Sequence, residues 1–479
     1  MLKQYQVHWC IALLSYFCIG HAIDHSMLIP RSITHNATYE LALDNYHVYH
    51  HDSHDSAFSF YVTPFYTQSN NSQTLARYFL PQHACCLDIQ ENGSGNVGSL
   101  WLELIAAPGL LYSSTLAIAP VRKAAGSYFY ARFEMSRWRP DAHWLLKNMW
   151  FQLSFAAMQV KHCLNMCEML TGEKVYGTLP GITTGEQAFN NPAWTAGRLS
   201  TVPLKQVGID DVQLKWGDNW FFCDEQSHIG LYLVGSIPTG NRPTACYIFE
   251  PLVGTKHGAF GAGLNGDINL YERDHARCNF MIDLKYRYLF SGRERRSFDL
   301  CGDWSRYLLV VNESATSVSL PAINDATLCV DVTPRSQIEL WCAVHYERCQ
   351  WNFEAGYNLW WRDSDKICGN NQLPPNTGIY DIAGAVIGNP ISASNANISQ
   401  AAIPPNQAPS DAVFTPSTSL NVASGAQPRA YVNGIYGALS YNDNAVRCPF
   451  LLGIGGGYEF ANCNTLAQWS LWGKVGFSY

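Results

Sequence analysis

Apolar and polar side chains alternate with a period of two in many segments of the chain, from Phe58 to the last residue. In one of the clearest segments, Phe129 and Phe133 fall on one face while Arg132 and Glu134 fall on the other. Successive side chains of a β-strand point to opposite faces, so this period indicates strands with one apolar face and one polar face. The chain is therefore predicted to be an antiparallel all-β protein.

The alternating segments number about 14, or about 12 without the two weakest, which lie near Leu102 and Leu116. Counted back from the C-terminus, the short links between segments fall at one end of the strands and the long links at the other. The short links lie near 139–147, 223–226, 272–277, 347–349 and 442–447, and the long links near 67–98, 162–206, 291–334 and 364–426. This asymmetry, with an even number of strands, is typical of transmembrane β-barrels.

The last segment runs to the end of the chain. Phe477 and Tyr479 lie on its apolar face, whereas Lys474 lies on the other. This tail resembles the C-terminal insertion signal of Gram-negative outer-membrane β-barrels, in which a terminal aromatic residue, with another two residues before it, is recognised by the assembly machinery. Lys474 departs from that signal, which usually has a glycine at this position. A soluble β-sandwich could also end on such a strand, so the tail alone does not decide between the two folds.

The composition favours the membrane barrel. Charged residues make up 14% of the chain and aromatic residues 13%, a profile that suits a wall girdled by Trp and Tyr. No segment beyond the N-terminus approaches the ~18 uncharged apolar residues of a membrane helix, so a membrane-embedded form of this chain must be a closed barrel. The net charge of -7 and the scattered cations predict no nucleic-acid partner.

The chain divides into three predicted parts. Residues 1–22 carry Lys3 and an apolar run that is shorter than the ~20 residues of a membrane helix, so they are predicted to be a cleaved secretory signal. Residues 23–55 are polar and rich in histidine, and they are predicted to form a periplasmic or lumen-plugging segment. Their histidines lack the spacing of a metal site, so no metal or other cofactor is predicted. Residues 56–479 are predicted to form the barrel.

Charged residues recur on the polar faces of the predicted strands. They are too numerous to be hidden in a dry core without pairing, so they are predicted to line the water of a pore, with a closed, salt-bridged lumen as the structural alternative. The predicted pore-lining residues are Arg132, Glu134, Asp211, Lys215, Asp267, Asp283, Lys285, Arg287, Glu339, Glu354 and Arg362.

These features predict a porin-like channel of a Gram-negative-type outer membrane that passes small solutes by diffusion. Two alternatives remain open. One is a hydrophobic-substrate transporter similar to the long-chain fatty-acid barrels, for which 23–55 could be the plug but an apolar lumen stripe is not evident. The other is a disulfide-rich structural or adhesive surface protein. Expected partners are membrane lipid, the barrel-assembly machinery, small solutes and, as in many porins, two further copies in a trimer.

The cysteines suggest disulfides. The chain has 16, and an even, high count in an exported protein favours disulfides over metal binding or thiol catalysis. Cys223, Cys278, Cys349 and Cys448 lie at or next to predicted periplasmic turns, so bridges such as Cys223 to Cys278 and Cys349 to Cys448 are predicted, within the Cα limit of ~7 Å. This richness resembles the disulfide-linked major porins of some cell envelopes.

Catalytic motifs are not evident. The glycine-rich runs Gly258–Gly266 and Gly453–Gly457 are not followed by a helix pattern, which a phosphate-binding loop needs. A simpler interpretation is that these glycines belong to tilted strands whose backbones approach each other closely. No nucleophile elbow or comparable spacing singles out a catalytic serine, so the chain is not predicted to be an enzyme.

Overall fold

The structure is a computed structural model of the chain. It describes residues 25–44, 58–91, 95–104, 106, 110–135, 148–172, 182–223, 227–273, 276–300, 302–312, 320–369, 372–373, 377–379, 398–399, 413–415, 420–443 and 448–479. The predicted signal, 1–22, lies outside these ranges.

Strands dominate the described residues. The first twelve are β1 (Phe58–Ser69), β2 (Cys86–Gln90), β3 (Val97–Gly98), β4 (Ser113–Ala117), β5 (Val121–Glu134), β6 (Met149–Cys163), β7 (Cys167–Leu170), β8 (Leu204–Ile209), β9 (Val212–Phe222), β10 (Ser227–Ile237), β11 (Ala259–Arg273) and β12 (Ala276–Leu289). The next twelve are β13 (Gly292–Ser297), β14 (Leu309–Asn312), β15 (Leu320–Pro321), β16 (Thr327–Thr333), β17 (Arg335–Arg348), β18 (Trp351–Arg362), β19 (Lys366–Cys368), β20 (Thr377–Ile379), β21 (Val413–Thr415), β22 (Ala430–Asp443), β23 (Phe450–Cys463) and β24 (Gln468–Ser478). Short helices are α1 (Ala37–Leu41), α2 (Ser72–Phe79), α3 (Gly185–Ala188) and α4 (Val422–Gly425).

Twelve of these strands form a closed antiparallel barrel. Their order is β5-β1-β24-β23-β22-β18-β17-β12-β11-β10-β9-β6, and the ring closes because β6 also pairs with β5. The C-terminal strand β24 lies beside the first barrel strand, with Phe60 opposite Phe477. The all-β transmembrane barrel predicted from the alternation is confirmed, with 12 strands, the smaller of the two expected numbers.

The two weak segments belong to the long links. Leu102 lies in a buried 3-10 turn, and Leu116 lies in the small sheet formed by β2, β3, β4 and β7. Both pack into one large apolar core built from the long links, which also contains Trp101, Phe189 and Trp304. We call this assembly the cap, and the opposite, short-turn end of the barrel the turn end. An apolar stripe buried in such a core has the same period as one that faces lipid, so alternation could not separate them.

The strand β8 lies outside the ring. It pairs with the half of β6 nearer the cap, beginning with Ala157 opposite Ile209. The strand β9 pairs with the half of β6 nearer the turn end, up to Ser154 opposite Gln213. Between these two paired regions, the three residues 210–212 lie opposite only two residues of β6, 155 and 156, and they therefore form a β-bulge. A bulge bends the strand that carries it, so the wall is bent beside the cap.

The outer wall is apolar. Side chains on alternate positions of the barrel strands are 40–64% exposed on its surface, among them Leu153, Leu231, Phe260, Phe353, Ile435, Ile454 and Leu471. A soluble barrel would not leave such a continuous apolar belt in water, whereas a transmembrane barrel requires it. The described helices include none with the length and hydropathy to traverse a bilayer.

Candidate functional site

The charged residues that were predicted from the sequence to line the pore lie on the polar, inward-facing side of the barrel wall. All of the predicted pore-lining residues except Asp211 lie in barrel strands, and all except Glu134 are buried. Their burial arises because other protein groups fill the lumen. The role of these residues in lining an open pore stays a prediction.

Residues 25–44 are named here the inner segment: they begin against the cap, where Leu28 joins its apolar core, and from Arg31 onward they fill the lumen. Asn36 caps α1, its side chain accepting a hydrogen bond of 3.1 Å from the Thr38 backbone N–H. Of the segment's residues, Ala37 and Ala42 have no exposed surface, and Tyr39 and Leu43 are almost completely buried. A five-residue helix is too short to be stable alone, so contacts with the barrel wall hold it.

Glu40 is the electrostatic centre of the inner segment. Its carboxylate contacts the ammonium of Lys215 on β9 and lies 3.5 Å from the Nζ atom of Lys285 on β12. The side-chain amide of Gln152 donates to it over 2.6 Å, and that of Gln213 over 3.3 Å. All three charged side chains are at most 2% exposed, so Glu40 and Lys215 depend on each other for compensation, and Lys285 shares Glu40 with a second carboxylate, Glu339.

Glu339 on β17 forms a second anchor. It contacts the Arg31 guanidinium and accepts a 2.7 Å hydrogen bond from the Ala37 backbone N–H at the start of α1. Lys285 and Arg287 on β12 also lie 3.3 Å from it. A carboxylate at a helix start is stabilised by unpaired N–H groups, and here it joins wall and segment.

The end of the inner segment is held by two further barrel strands, β24 and β18. Lys474 on β24 donates to the backbone carbonyl of Ala42 over 2.6 Å and to that of Glu40 over 3.0 Å. The Leu43 backbone N–H donates to Glu354 on β18 over 3.1 Å. Carbonyls at a helix end lack intrahelical partners, and a cation satisfies them well.

The part of the inner segment just before α1 reaches the bulge between β8 and β9. Asp210 accepts hydrogen bonds of 3.0 Å from the Ser32 hydroxyl and from the Thr34 backbone N–H. The His35 ring lies 3.1 Å from the Ser236 hydroxyl and 3.8 Å from the Asp211 carboxylate. The bulge therefore serves as a docking point for the inner segment.

Aromatic rings cover much of the remaining lumen wall. Tyr61, Tyr128, Trp341, Tyr436 and Trp472 are buried on the inner face and pack around α1. The sequence interpretation missed this aromatic surface because each ring stands in a polar phase of its strand, where it reads as an interruption. Aromatic residues on the phase opposite to the lipid-facing residues were the signal that could have revealed it.

The aromatic rings lie flat on glycines of neighbouring strands. A Cβ atom at Gly455 would be 2.2 Å from the Trp472 ring, and one at Gly476 would be 2.2 Å from the Tyr61 ring. Glycine alone permits this close approach, which leaves room for the inner segment. The glycine-rich run on β23 thus belongs to the wall.

The predicted lumen charges outside the anchors pair along the wall. Arg132 lies 3.5 Å from Glu134 and stacks over the Trp150 ring, while Tyr232 donates to Asp283 over 2.8 Å. Asp267 accepts a 2.9 Å hydrogen bond from the Asn279 side-chain amide, and the Arg362 guanidinium lies 3.3 Å from the Asp365 carboxylate. Within the described ranges, no three His, Cys, Asp or Glu side chains are grouped as metal ligands.

The described cysteines are free thiols. They include Cys223, Cys278, Cys349 and Cys448, so the structure holds neither of the bridges suggested by the sequence, and those pairings stay predictions. Phe477 and Tyr479 of the tail are 45% and 72% exposed on the outer face, and their role in insertion also stays a prediction.

Comparisons with known proteins give a weak likeness to outer-membrane barrels. No protein-family model matches the sequence, and no characterised protein matches it. Among solved structures, an outer-membrane channel from Pseudomonas putida F1 is 7% identical with a TM-score of 0.39, covering 88% of this chain and 96% of that one. A FadL homologue from Pseudomonas aeruginosa is 7% identical with a TM-score of 0.29, covering 88% and 89%. The toluene transporter TodX from Pseudomonas putida is 7% identical with a TM-score of 0.25, covering 96% and 99%.

Proposed function

We propose that the protein is an integral outer-membrane barrel of a Gram-negative-type cell that transports a small apolar solute, with its lumen closed at rest by the inner segment. This is the hydrophobic-substrate alternative from the sequence rather than the open porin. The observation that carries the closed lumen is Glu40, buried between Lys215 and Lys285 inside the barrel. An open, water-filled pore would leave these charges hydrated rather than paired.

The chemistry of the wall supports an apolar solute. Once the inner segment moves aside, a solute would contact the aromatic surface formed by Tyr61, Trp341, Tyr436 and Trp472. Aromatic faces bury apolar solutes well, and their hydroxyl and indole groups can orient them.

The anchors of the inner segment supply the resting closure. They are ion pairs and hydrogen bonds to several different strands, so small wall movements can weaken several anchors together. A shift of the segment toward the turn end would leave the lumen walls as they are. The shift must separate buried ion pairs, and the free energy that this separation requires keeps the closed state dominant.

Uptake by whole cells tests this function. Cells that carry the protein in their outer membrane are expected to take up radiolabelled p-xylene faster than cells that lack it, with unchanged permeability to sucrose. Faster sucrose uptake without a p-xylene effect would support the open porin instead. No change in the uptake of either solute would favour the third alternative, a structural or adhesive surface protein.

A further inference from the structure

A groove crosses the outer wall of the barrel, away from the lumen. It has a volume of about 600 Å³ and runs from Phe58 on β1 to Phe260 on β11. Its path crosses β5, β6, β9 and β10, which gives five strand intervals, or roughly 24 Å at ~4.8 Å each. Phe58 lies at the turn end and Phe260 at the cap end, so the groove runs obliquely.

Two neighbouring rows of outward-facing residues shape the groove. One row has the small residues Ala131 and Gly235 at its two ends, with Leu153 and Leu214 between them, so the floor is low on β5 and on β10. The next row carries Phe151 and Trp216, whose rings stand side by side with centroids 6.0 Å apart and planes only 3° from parallel. Small residues beside large rings produce the depression, and the nearby bulge at Asp210 adds to the bend of the wall.

The lining of the groove is apolar and faces the membrane. Phe151, Trp216 and Leu233 are 42–46% exposed, and they continue the belt that faces hydrocarbon. The outward-facing side chains of the lining include no charged group that could hold a lipid headgroup. A volume of 600 Å³ falls within the ~300–1,000 Å³ range of small-molecule sites.

We propose that this groove binds one acyl chain of a membrane lipid, lying obliquely across β5 to β11. The occupant follows from the continuity of the groove with the lipid-facing belt, since acyl chains are what surrounds that surface. Shape supplies the preference for this site, because a chain in the groove contacts protein on several sides instead of one. The proposal depends on membrane insertion alone and is independent of the transported solute.

Photolabelling tests this proposal. The protein is reconstituted in vesicles of phosphatidylethanolamine and phosphatidylglycerol that contain a phosphatidylethanolamine with a diazirine on its acyl chain. After irradiation, adducts on peptides from β6 and β9 are compared by mass spectrometry with those on β22 and β23, across the barrel. We expect enrichment at the groove. Equal labelling around the belt, or predominant crosslinks to a second barrel, would overturn the proposal.

A matched pair of variants tests the shape of the site. A Cβ atom at Gly235 or at Gly437 has no neighbour nearer than 4.0 Å, and both glycines face outward, on opposite sides of the barrel. Gly235→Phe fills the groove and is expected to abolish the enrichment, while Gly437→Phe is expected to retain it. Heat-modifiable gel migration verifies that each variant is folded. Enrichment that survives in folded Gly235→Phe would overturn the proposal, and the wild-type comparison stands even where a variant fails to fold.

Discussion

The ammonium group of Lys474 donates a 2.6 Å hydrogen bond to the backbone carbonyl of Ala42, which joins the last barrel strand to the inner segment. Lys474 is also the residue at which the tail departs from the insertion signal that it resembles. A glycine there would leave the carbonyls of Ala42 and Glu40 without this donor. The departure is thus explained by a contact in the lumen.

Removal of this donor should loosen the inner segment. In Lys474→Met, two buried carbonyls lose their partner, which should lower the free energy of unfolding by about 1–3 kcal/mol. The matched control is Lys205→Met, on the exposed face of β8, which should change it by less than about 0.5 kcal/mol. Urea unfolding in detergent micelles measures both, and equal stability of the two variants would contradict the anchoring role.

Loss of the Glu40 charge should destabilise the closed lumen more strongly. Glu40→Gln keeps the shape of the side chain but leaves the buried Lys215 without its ion-pair partner and removes one of the carboxylates beside Lys285, at a cost of about 3–5 kcal/mol. Glu272→Gln, at the exposed end of β11, is the control. In the double variant Glu40→Gln/Lys215→Met, part of the loss should be recovered, because one unpaired cation is gone. Strictly additive losses would argue against the ion pair.

The glycine at 455 should not tolerate a side chain. Gly455→Ala places a Cβ atom against the Trp472 ring and should cost about 1–3 kcal/mol through overpacking. Gly456→Ala is the control, since its Cβ atom would meet the flexible end of Leu471 at 3.1 Å. Thermal unfolding followed by gel migration compares the two. A Gly455→Ala protein as stable as Gly456→Ala would show that the ring can move aside.

Stability of the cap should depend on acid pH through Glu294. Burial disfavours its charge, but the Arg296 guanidinium and the His257 ring, 2.9 Å away, outweigh burial and lower the pKa of Glu294 from 4.5 to about 2. A carboxylate whose pKa is lower in the folded protein stabilises it fully above pH 4.5, and the contribution is lost as the pH falls toward 2. Protease resistance of the cap should therefore fall over this range in the wild type.

The variant Glu294→Gln isolates this effect. It lacks the titrating group, so its cap should be weaker at neutral pH and should show a shallower decline between pH 4.5 and 2. Parallel profiles for the wild type and the variant would contradict the assigned role of Glu294.

Alternation in the sequence was enough to locate the barrel strands. It succeeded because lipid on one side and a polar lumen on the other impose a period of two over each strand. It failed at Leu102 and Leu116 because the apolar core of the cap imposes the same period. The predicted number of strands therefore depended on which apolar segments face lipid and which face other protein, and a single sequence does not distinguish the two.

The contents of the lumen could be predicted only in part. The charged wall residues were identified, but their partner Glu40 lies 175 residues from Lys215, and nothing in the local pattern joins them. The aromatic wall was missed because Trp341 and Trp472 stand in polar phases. Pairing across a closed barrel is a property of the strand order and register, which fix which side chains meet.

The current through single molecules in planar lipid bilayers tests the closed lumen most directly. The wild-type protein is predicted to be electrically silent apart from rare, brief openings, while Glu40→Gln and Lys474→Met open more often and Lys205→Met behaves like the wild type. A steady, ohmic current through the wild-type protein at low voltage would contradict the account.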